Sequence, residues 1–216
     1  LTNGGIITFG AGRVGQMGNG QFTSCSTPQF LGPLKNRPIV SVQCGATHCL
    51  AMTSGGIVFA WGGNAFGQLG VGDTRDRLRP TEISSIRVAR PSQIFAGAYH
   101  SMALTPKGTL FSWGKNNQGQ CGHGSTENIL TPRLIQAFTG MDILGAVGDV
   151  SCGNDHSMVI VYSKSTTMSL CGEGENGEEV FRKSVKRKRT LYGFGSNACG
   201  QLGMPPADRS FRLPKK

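Results

Sequence analysis

Three histidines recur in one setting: Gly45-Ala-Thr-His48, Gly97-Ala-Tyr-His100 and Gly153-Asn-Asp-His156, each followed by an alternating apolar run. Histidine is the usual general base and metal ligand near neutral pH, so these positions raise acid–base or metal chemistry first. Two glycine-rich stretches raise a phosphate cradle instead: "WGGNAFGQLGVGD" from Trp61 and "GEGENGEE" from Gly172. Neither chemistry is supported by its surroundings. A metal site needs unequal ligands converging on one point, whereas these histidines repeat at fixed intervals and read as structural. His123, in "QCGHG", is the odd one and carries no assigned role. No Gly-Lys-Ser/Thr follows the glycine-rich stretches, and Glu173, Glu175, Glu178 and Glu179 would repel a phosphate. No G-x-S-x-G, H-E-x-x-H or paired catalytic carboxylates occur, so the expectation is a non-catalytic protein with no cofactor and no metal.

What positions these residues is a repeat. "VFAWGGNAFGQLGVGD" from Val58 matches "LFSWGKNNQGQCGHGS" from Leu110, "ITFGAGRVGQMGNG" from Ile7 and "LYGFGSNACGQLGM" from Leu191. Gly10, Gly62 and Gly114 are 52 residues apart, as are Gly45 and Gly97, a register chance glycines would not keep. Gly172, in "SLCGEGENGEEVF", lies 58 residues beyond Gly114 and reads as a degenerate copy with cysteine in place of the aromatic residue.

Each unit reads as strands. "IVSVQCG" and "SQIFAG" alternate in polarity, as do "HCLAMT" and "HSMALT", while "TSGG" and "TPKG" supply turns before "IVFAWG" and "TLFSWG". A final short strand is expected after the prolines of "LRPTEI" and "LTPRLI". Four short antiparallel strands in a repeat of about fifty residues predict an all-β fold, a β-propeller with four-stranded blades.

The pairing of G-x-x-H with aromatic-Gly-x-N-x-x-G-Q-L-G resembles the repeat of the regulator of chromosome condensation family, the seven-bladed propellers, over nearly the whole chain. Under that resemblance Gly62, Gly67 and Gly70 serve turns and close approach between blades. Gln68 and Gln201 would make buried hydrogen bonds to backbone groups that blade ends leave open. The resemblance also implies two functions. One is a non-catalytic interaction scaffold, binding a protein partner on one propeller face within a larger nuclear or organellar ribonucleoprotein or chromatin assembly. The alternative is a guanine nucleotide exchange factor for the small GTPase Ran. The residue matching the GTPase-facing aspartate of exchange-active members is Asp155, beside His156, where the other blades carry Thr47 and Tyr99. The protruding hairpin those members wedge into the GTPase is not identifiable from the residues. A regulatory propeller within a larger ligase or ciliary protein is a further reading.

The blade count does not close a ring. Seven blades need about 360 residues, and the chain has 216. Residues 1–216 therefore read as one incomplete propeller of about four blades with both ends inside a blade. Leu1 reads as other than the native start, and the remaining blades are expected from further chain or from a partner covering the ring edge. Only 23 residues separate Gly172 from Gly195. About half a blade is thus missing between them: it is lost, interrupted by a charged insertion, or absent through a chain discontinuity over 173–190.

That interval holds "RKSVKRKR", which concentrates the net charge of +10. Arg182, Lys183, Lys186, Arg187, Lys188 and Arg189 are candidate contacts to nucleic acid or an acidic partner. Arg75, Arg77 and Arg79 alternate in "TRDRLRP" and form a second candidate group, with Arg87 and Arg90 following. Aromatic residues are few outside the blade motifs, so any RNA contact is expected to be electrostatic. "KRKR" fits nuclear import, and the overall basic charge fits a mitochondrial ribosome-associated protein equally well. The seven cysteines (Cys25, Cys44, Cys49, Cys121, Cys152, Cys171, Cys199) include no C-x-x-C, so a reducing compartment is expected. No run is long and apolar enough for a membrane span.

Overall fold

The computed structural model describes residues 5–139, 147–173, 179–204 and 210–215, with backbone alone for 164–173 and 179–187. The strands are β1 (Ile7–Gly10), β2 (Cys25–Phe30), β3 (Ile39–Cys44), β4 (His48–Thr53), β5 (Val58–Gly62), β6 (Arg77–Glu82), β7 (Gln93–Ala96), β8 (His100–Leu104), β9 (Leu110–Gly114), β10 (Ile129–Leu134), β11 (Val147–Cys152), β12 (His156–Glu173), β13 (Glu179–Ser196) and β14 (Ser210–Lys215). They form a two-stranded sheet, β1–β2, and three four-stranded antiparallel sheets, β3–β6, β7–β10 and β11–β14, each in simple meander order. These are blades I to IV of a propeller that does not close into a ring.

Local chemistry explains each meander. Thr53 to Gly56 closes a turn through the Gly56 amide on the Thr53 carbonyl at 2.9 Å, and Gly108 repeats it on Thr105 at 2.9 Å. Gly56 and Gly108 both have φ of +77°, which a side chain disfavours. The outer strands contain their prolines, Pro28, Pro80, Pro132 and Pro214, rather than following them. This corrects the expected boundary. An outer strand is an edge, so a residue lacking an N–H costs it no ladder bond on the open side.

The core lies between sheets. Blades II and III enclose Leu50, Leu69, Ile83, Ile94 and Trp113. Blades III and IV enclose Met102, Leu104, Val159 and Phe194, and blades I and II enclose Leu31, Leu34, Ala51 and Trp61. Each fully buried large side chain contributes about 1.5–3 kcal/mol, so packing between blades dominates their association. Both β4 and β8 are buried along their whole length, because each lies inside its sheet with a neighbouring blade on either face.

Blade IV overturns one sequence expectation. Gly172 stands opposite Val180 near the turn of the β12–β13 ladder, whereas Gly195 pairs with His156 as Gly62 does with His48 and Gly114 with His100. Gly195 is thus the blade module and Gly172 is not. Gly45 to Gly62 and Gly97 to Gly114 each span 17 positions, while Gly153 to Gly195 spans 42, a difference of 25. Those residues prolong the two inner strands of blade IV into a ladder that continues to Glu173 opposite Glu179. A glycine after an apolar pair looked like a module because pattern alone does not reveal which strand lies opposite.

Candidate functional site

One end of the arc is assembled from equivalent loops. Because His48, His100 and His156 open the second strand of their blades, the loops at 45–47, 97–99 and 153–155 emerge at the same end. The Ala46 amide donates to the Ala98 carbonyl at 3.0 Å and joins two of these loops directly.

Beneath the loops a polar relay crosses each blade boundary. Ser101 Oγ donates to the Gln68 carbonyl at 2.9 Å, and Ser157 Oγ donates to the Gln120 carbonyl at 2.9 Å. A hydroxyl has one proton, so His48 Nε2 must donate to Ser101 Oγ and His100 Nε2 to Ser157 Oγ, both at 2.9 Å. Nδ1 of each ring is then the bare acceptor, buried without a partner. Burial holds the His48 pKa down to about 4 and that of His100 to about 3. Neutral, enclosed imidazoles tied to structural hydroxyls are braces. His156 begins the next link of the series, half-buried, and no hydrogen bond to its ring occurs among the described residues.

The tryptophans and glutamines complete the boundary. Trp61 Nε1 donates to the Gln16 carbonyl and Trp113 Nε1 to the Gln68 carbonyl, each at 2.9 Å. The Gln68 side chain accepts from the Phe66 amide at 2.9 Å, and Gln201 accepts from the Cys199 amide at 2.8 Å. Both glutamines therefore satisfy loop backbone two residues upstream. The contacts between blades fall instead on the main-chain carbonyls of Gln16, Gln68 and Gln120, which residue type alone does not reveal.

Above this frame a mixed cluster spans three blades. Lys115 Nζ lies 3.0 Å from Asp155 Oδ1, and Gln120 Nε2 donates to the same oxygen at 3.1 Å. The ammonium also sits 5.6 Å from the Phe66 ring centroid and 5.4 Å from that of Tyr99, while the two rings meet edge to face at 5.4 Å. Phe66, Tyr99, Lys115 and Asp155 are each half-buried, so the cluster is ordered yet reachable. Asp155 is legible in the sequence, whereas Lys115, Phe66 and Gln120 join it only in the fold. The available signal was Lys115 itself, which follows the aromatic-Gly pair where Gly63 and Ser196 stand in the neighbouring blades.

The arginine stripe near Asp73 is partly neutralised. Arg77 Nη2 lies 2.8 Å and Arg75 Nη2 3.3 Å from Asp73 Oδ2. The Arg77 hydrogen bond, then the Arg75 amide, hold the Asp73 pKa at about 2. Arg79 is exposed, and Arg87 pairs with Glu82 at 3.4 Å. Arg90 adopts φ +47° after a short 3-10 helix. Arg77 pairs with Gly62, so Arg75 and Arg77 border the same end as Asp155, whereas Arg90 lies against Gly56 at the opposite end.

The second basic group sits elsewhere. Lys188 and Arg189 are exposed, the latter 5.4 Å from the Tyr162 ring centroid. The side chains of Arg182, Lys183, Lys186 and Arg187 lie outside the described residues. Their backbones pair with Ser169, Met168, Ser165 and Lys164, and Lys188 pairs with Ser163. At about 3.3 Å per residue, Lys188 is about 23 Å and Arg182 about 43 Å along the ladder from the Asp155 end. The two candidate regions cannot form one contiguous site.

Among the described residues the Ser–His pairs, Ser101–His48, Ser157–His100 and Ser112–His123, each commit the hydroxyl proton to a backbone carbonyl, so in none of them does the histidine act as a base toward the hydroxyl. Among the described residues, no group of three or more His, Cys, Asp or Glu stands where it could hold a metal ion, and no helix is long and apolar enough to cross a membrane.

The pattern of the regulator of chromosome condensation (RCC1) repeat matches residues 3–52, 55–104 and 107–160, and a second pattern of that repeat matches 39–68 and 92–120. The chain belongs to this family. Each longer RCC1 match runs from the third strand of one blade to the second strand of the next, so the sequence repeat and the structural blade are offset by half.

Among curated RCC1-repeat relatives, the ultraviolet-B receptor UVR8 of Arabidopsis thaliana is 35% identical over 215 residues, covering 99% of this chain and 42% of the receptor. The probable E3 ubiquitin-protein ligase HERC4 of Homo sapiens is 34% identical over 186 residues, covering 85% of this chain and 17% of the ligase. The chain spans less than half the length of either. Yeast RCC1 (Prp20), in its complex with Kap60, superposes with TM-score 0.68 at 20% identity, over 98% of this chain and 44% of that one. Human WBSCR16 superposes with TM-score 0.61 at 20% identity, over 99% and 62%. A further Prp20p structure, from Saccharomyces cerevisiae and described with its binding to Gsp1p and histones, gives TM-score 0.60 at 19% identity, over 99% and 59%. At these identities the likeness is one of fold.

Proposed function

We propose that this protein is a non-catalytic interaction scaffold that binds a protein partner through the end of the propeller bearing Phe66, Tyr99, Lys115 and Asp155. The observation that carries the reading is the aromatic pair with Lys115 seated on both rings and tied to Asp155, an arrangement contributed by three blades. Half-buried aromatics and fixed charges on a rigid support are the usual anchors of protein interfaces. The two basic groups extend the reading to an acidic partner, chromatin or RNA, in the nucleus or the mitochondrion. Tagged protein followed by microscopy distinguishes the compartments. Tyr99→Ala and Phe66→Ala, compared with a change on the far side such as Lys107→Ala, test the surface. Quantitative affinity capture from that compartment should lose the same partners in both cluster variants and keep them in Lys107→Ala. Equal capture by all three would refute the assignment.

Exchange on the small GTPase Ran is the second reading, supported by Asp155 at the open end of blade IV. Its carboxylate is already engaged by Lys115 and Gln120, and the long β12–β13 ladder leaves the blade at the opposite end. Under this reading the protein accelerates nucleotide release from Ran and Asp155→Ala abolishes the acceleration. Unchanged release with the intact protein would remove it.

A further inference from the structure

Blade II differs from its neighbours at one cross-strand pair. Cys44, the last residue of β3, is paired with Cys49 of β4, where blade III has Ala96 with Ser101 and blade IV has Cys152 with Ser157. The Gly45 amide donates to the His48 carbonyl at 2.8 Å, which makes the adjoining cysteine pair the closely spaced, non-hydrogen-bonded kind. Their sulfurs lie 3.6 Å apart. Such pairs bring Cα atoms to about 4.5 Å, within the range a disulfide spans. Cys44 is exposed and Cys49 is buried, and both line a cleft of about 360 Å³ with Gln16, His48 and Trp61.

We propose that Cys44 and Cys49 are a reversible thiol–disulfide pair, oxidised by hydroperoxides and coupled to the contact between blades I and II. The hydrogen bond that the Cys49 S–H offers to an ionised Cys44 lowers the Cys44 thiol to about 7, while that same bond, then burial, pushes Cys49 up. About half of the exposed sulfur is thus the nucleophilic thiolate at pH 7, and the buried one keeps its proton. The Cys44 thiolate attacks a peroxide oxygen, the O–O bond breaks, and Cys44 becomes a sulfenic acid as water leaves after protonation. Cys49 Sγ then attacks the Cys44 sulfur, an S–S bond forms, and the sulfenic oxygen departs as a second water with the Cys49 proton. Two thiols and one hydrogen peroxide give one disulfide and two waters, and a thiol reductant reverses the change.

The coupling lies in what Cys49 does when reduced. While Cys44 is a thiol, the single Cys49 proton faces the Gln16 carbonyl at 3.5 Å, the task performed at the next two boundaries by Ser101 and Ser157, and an ionised Cys44 competes for it. The disulfide removes that proton and leaves the Gln16 carbonyl with Trp61 Nε1 alone. Oxidation therefore loosens the first boundary and leaves the others unchanged.

The experiment treats the reduced protein with one equivalent of hydrogen peroxide, then alkylates it and maps its peptides by mass. The peptide containing both residues should lose two hydrogens and escape alkylation, and dithiothreitol should restore it. Cys49→Ser preserves the carbonyl contact, as serine does in blades III and IV. In that variant Cys44 should accumulate a dimedone-reactive sulfenic acid with no loss of two hydrogens. Hydrogen exchange in β1 should rise on oxidation of the wild type and stay flat in Cys49→Ser. The proposal is overturned if Cys44 takes up oxygen without linking to Cys49, if it links preferentially to Cys25 or Cys199, or if it reacts no faster than those two thiols.

Discussion

His100 Nε2 lies 2.9 Å from Ser157 Oγ across the boundary between blades III and IV, and that hydroxyl is the donor to the Gln120 carbonyl. At the preceding boundary Ser101 holds the Gln68 carbonyl, but Trp113 Nε1 donates to the same oxygen. Blade IV has Phe194 where Trp113 stands, so Ser157 has no such reserve. Ser157→Ala should cost about 2–3 kcal/mol and Ser101→Ala about 1 kcal/mol less, measured by urea unfolding. Equal losses would mean that the tryptophan does not share the load.

Acid should loosen the same boundaries. His48 and His100 titrate at about 4 and about 3 when folded, through burial, against about 6.5 when unfolded. The unfolded chain binds their protons first, so their contribution is complete above pH 6.5 and declines as pH falls toward the folded values. Each should subtract about 2 kcal/mol by pH 5. Unfolding midpoints compared at pH 7.5 and 5 would show this, and a flat profile would exclude neutral burial of both rings.

Gly70 and Gly203 separate backbone strain from packing. Both have similar positive φ, +71° and +68°, but a Cβ on Gly70 would sit 2.7 Å from Trp113 Nε1, while among the described residues nothing lies within 4 Å of one on Gly203. Alanine at Gly203 should cost about 1 kcal/mol from strain, whereas at Gly70 it should cost at least about 2 kcal/mol more by displacing the indole. Thermal unfolding of the two variants tests the difference.

The β12–β13 ladder should be separable from the blade. Replacing residues 163–188 with Asn-Gly, the favoured two-residue hairpin turn, retains the Tyr162–Arg189 pair and should leave the melting temperature within a few degrees. Binding to a polyanion such as heparin, measured across salt concentrations, should lose most of its salt dependence. Unchanged salt dependence would shift the interaction to the arginines near Asp73.

The sequence by itself determined the blade. Fifty-two-residue spacing, alternating polarity and turn glycines are local patterns, and three four-stranded meanders follow from them directly. The structural role of the recurring histidines was equally legible, because a residue that repeats with every blade does the work of every blade. Tertiary structure alone decided what meets across boundaries and at the ends. Gly172 and Gly195 look alike along the chain, and strand pairing selects between them. Asp155 was visible as a residue, yet its partner Lys115 is 40 positions away. The cysteines looked scattered until the β3–β4 register brought Cys44 to Cys49. Periodicity records how a strand repeats its own environment. Functional groups arise where different repeats touch, and those contacts are set by sheet register and blade packing, which no short stretch encodes.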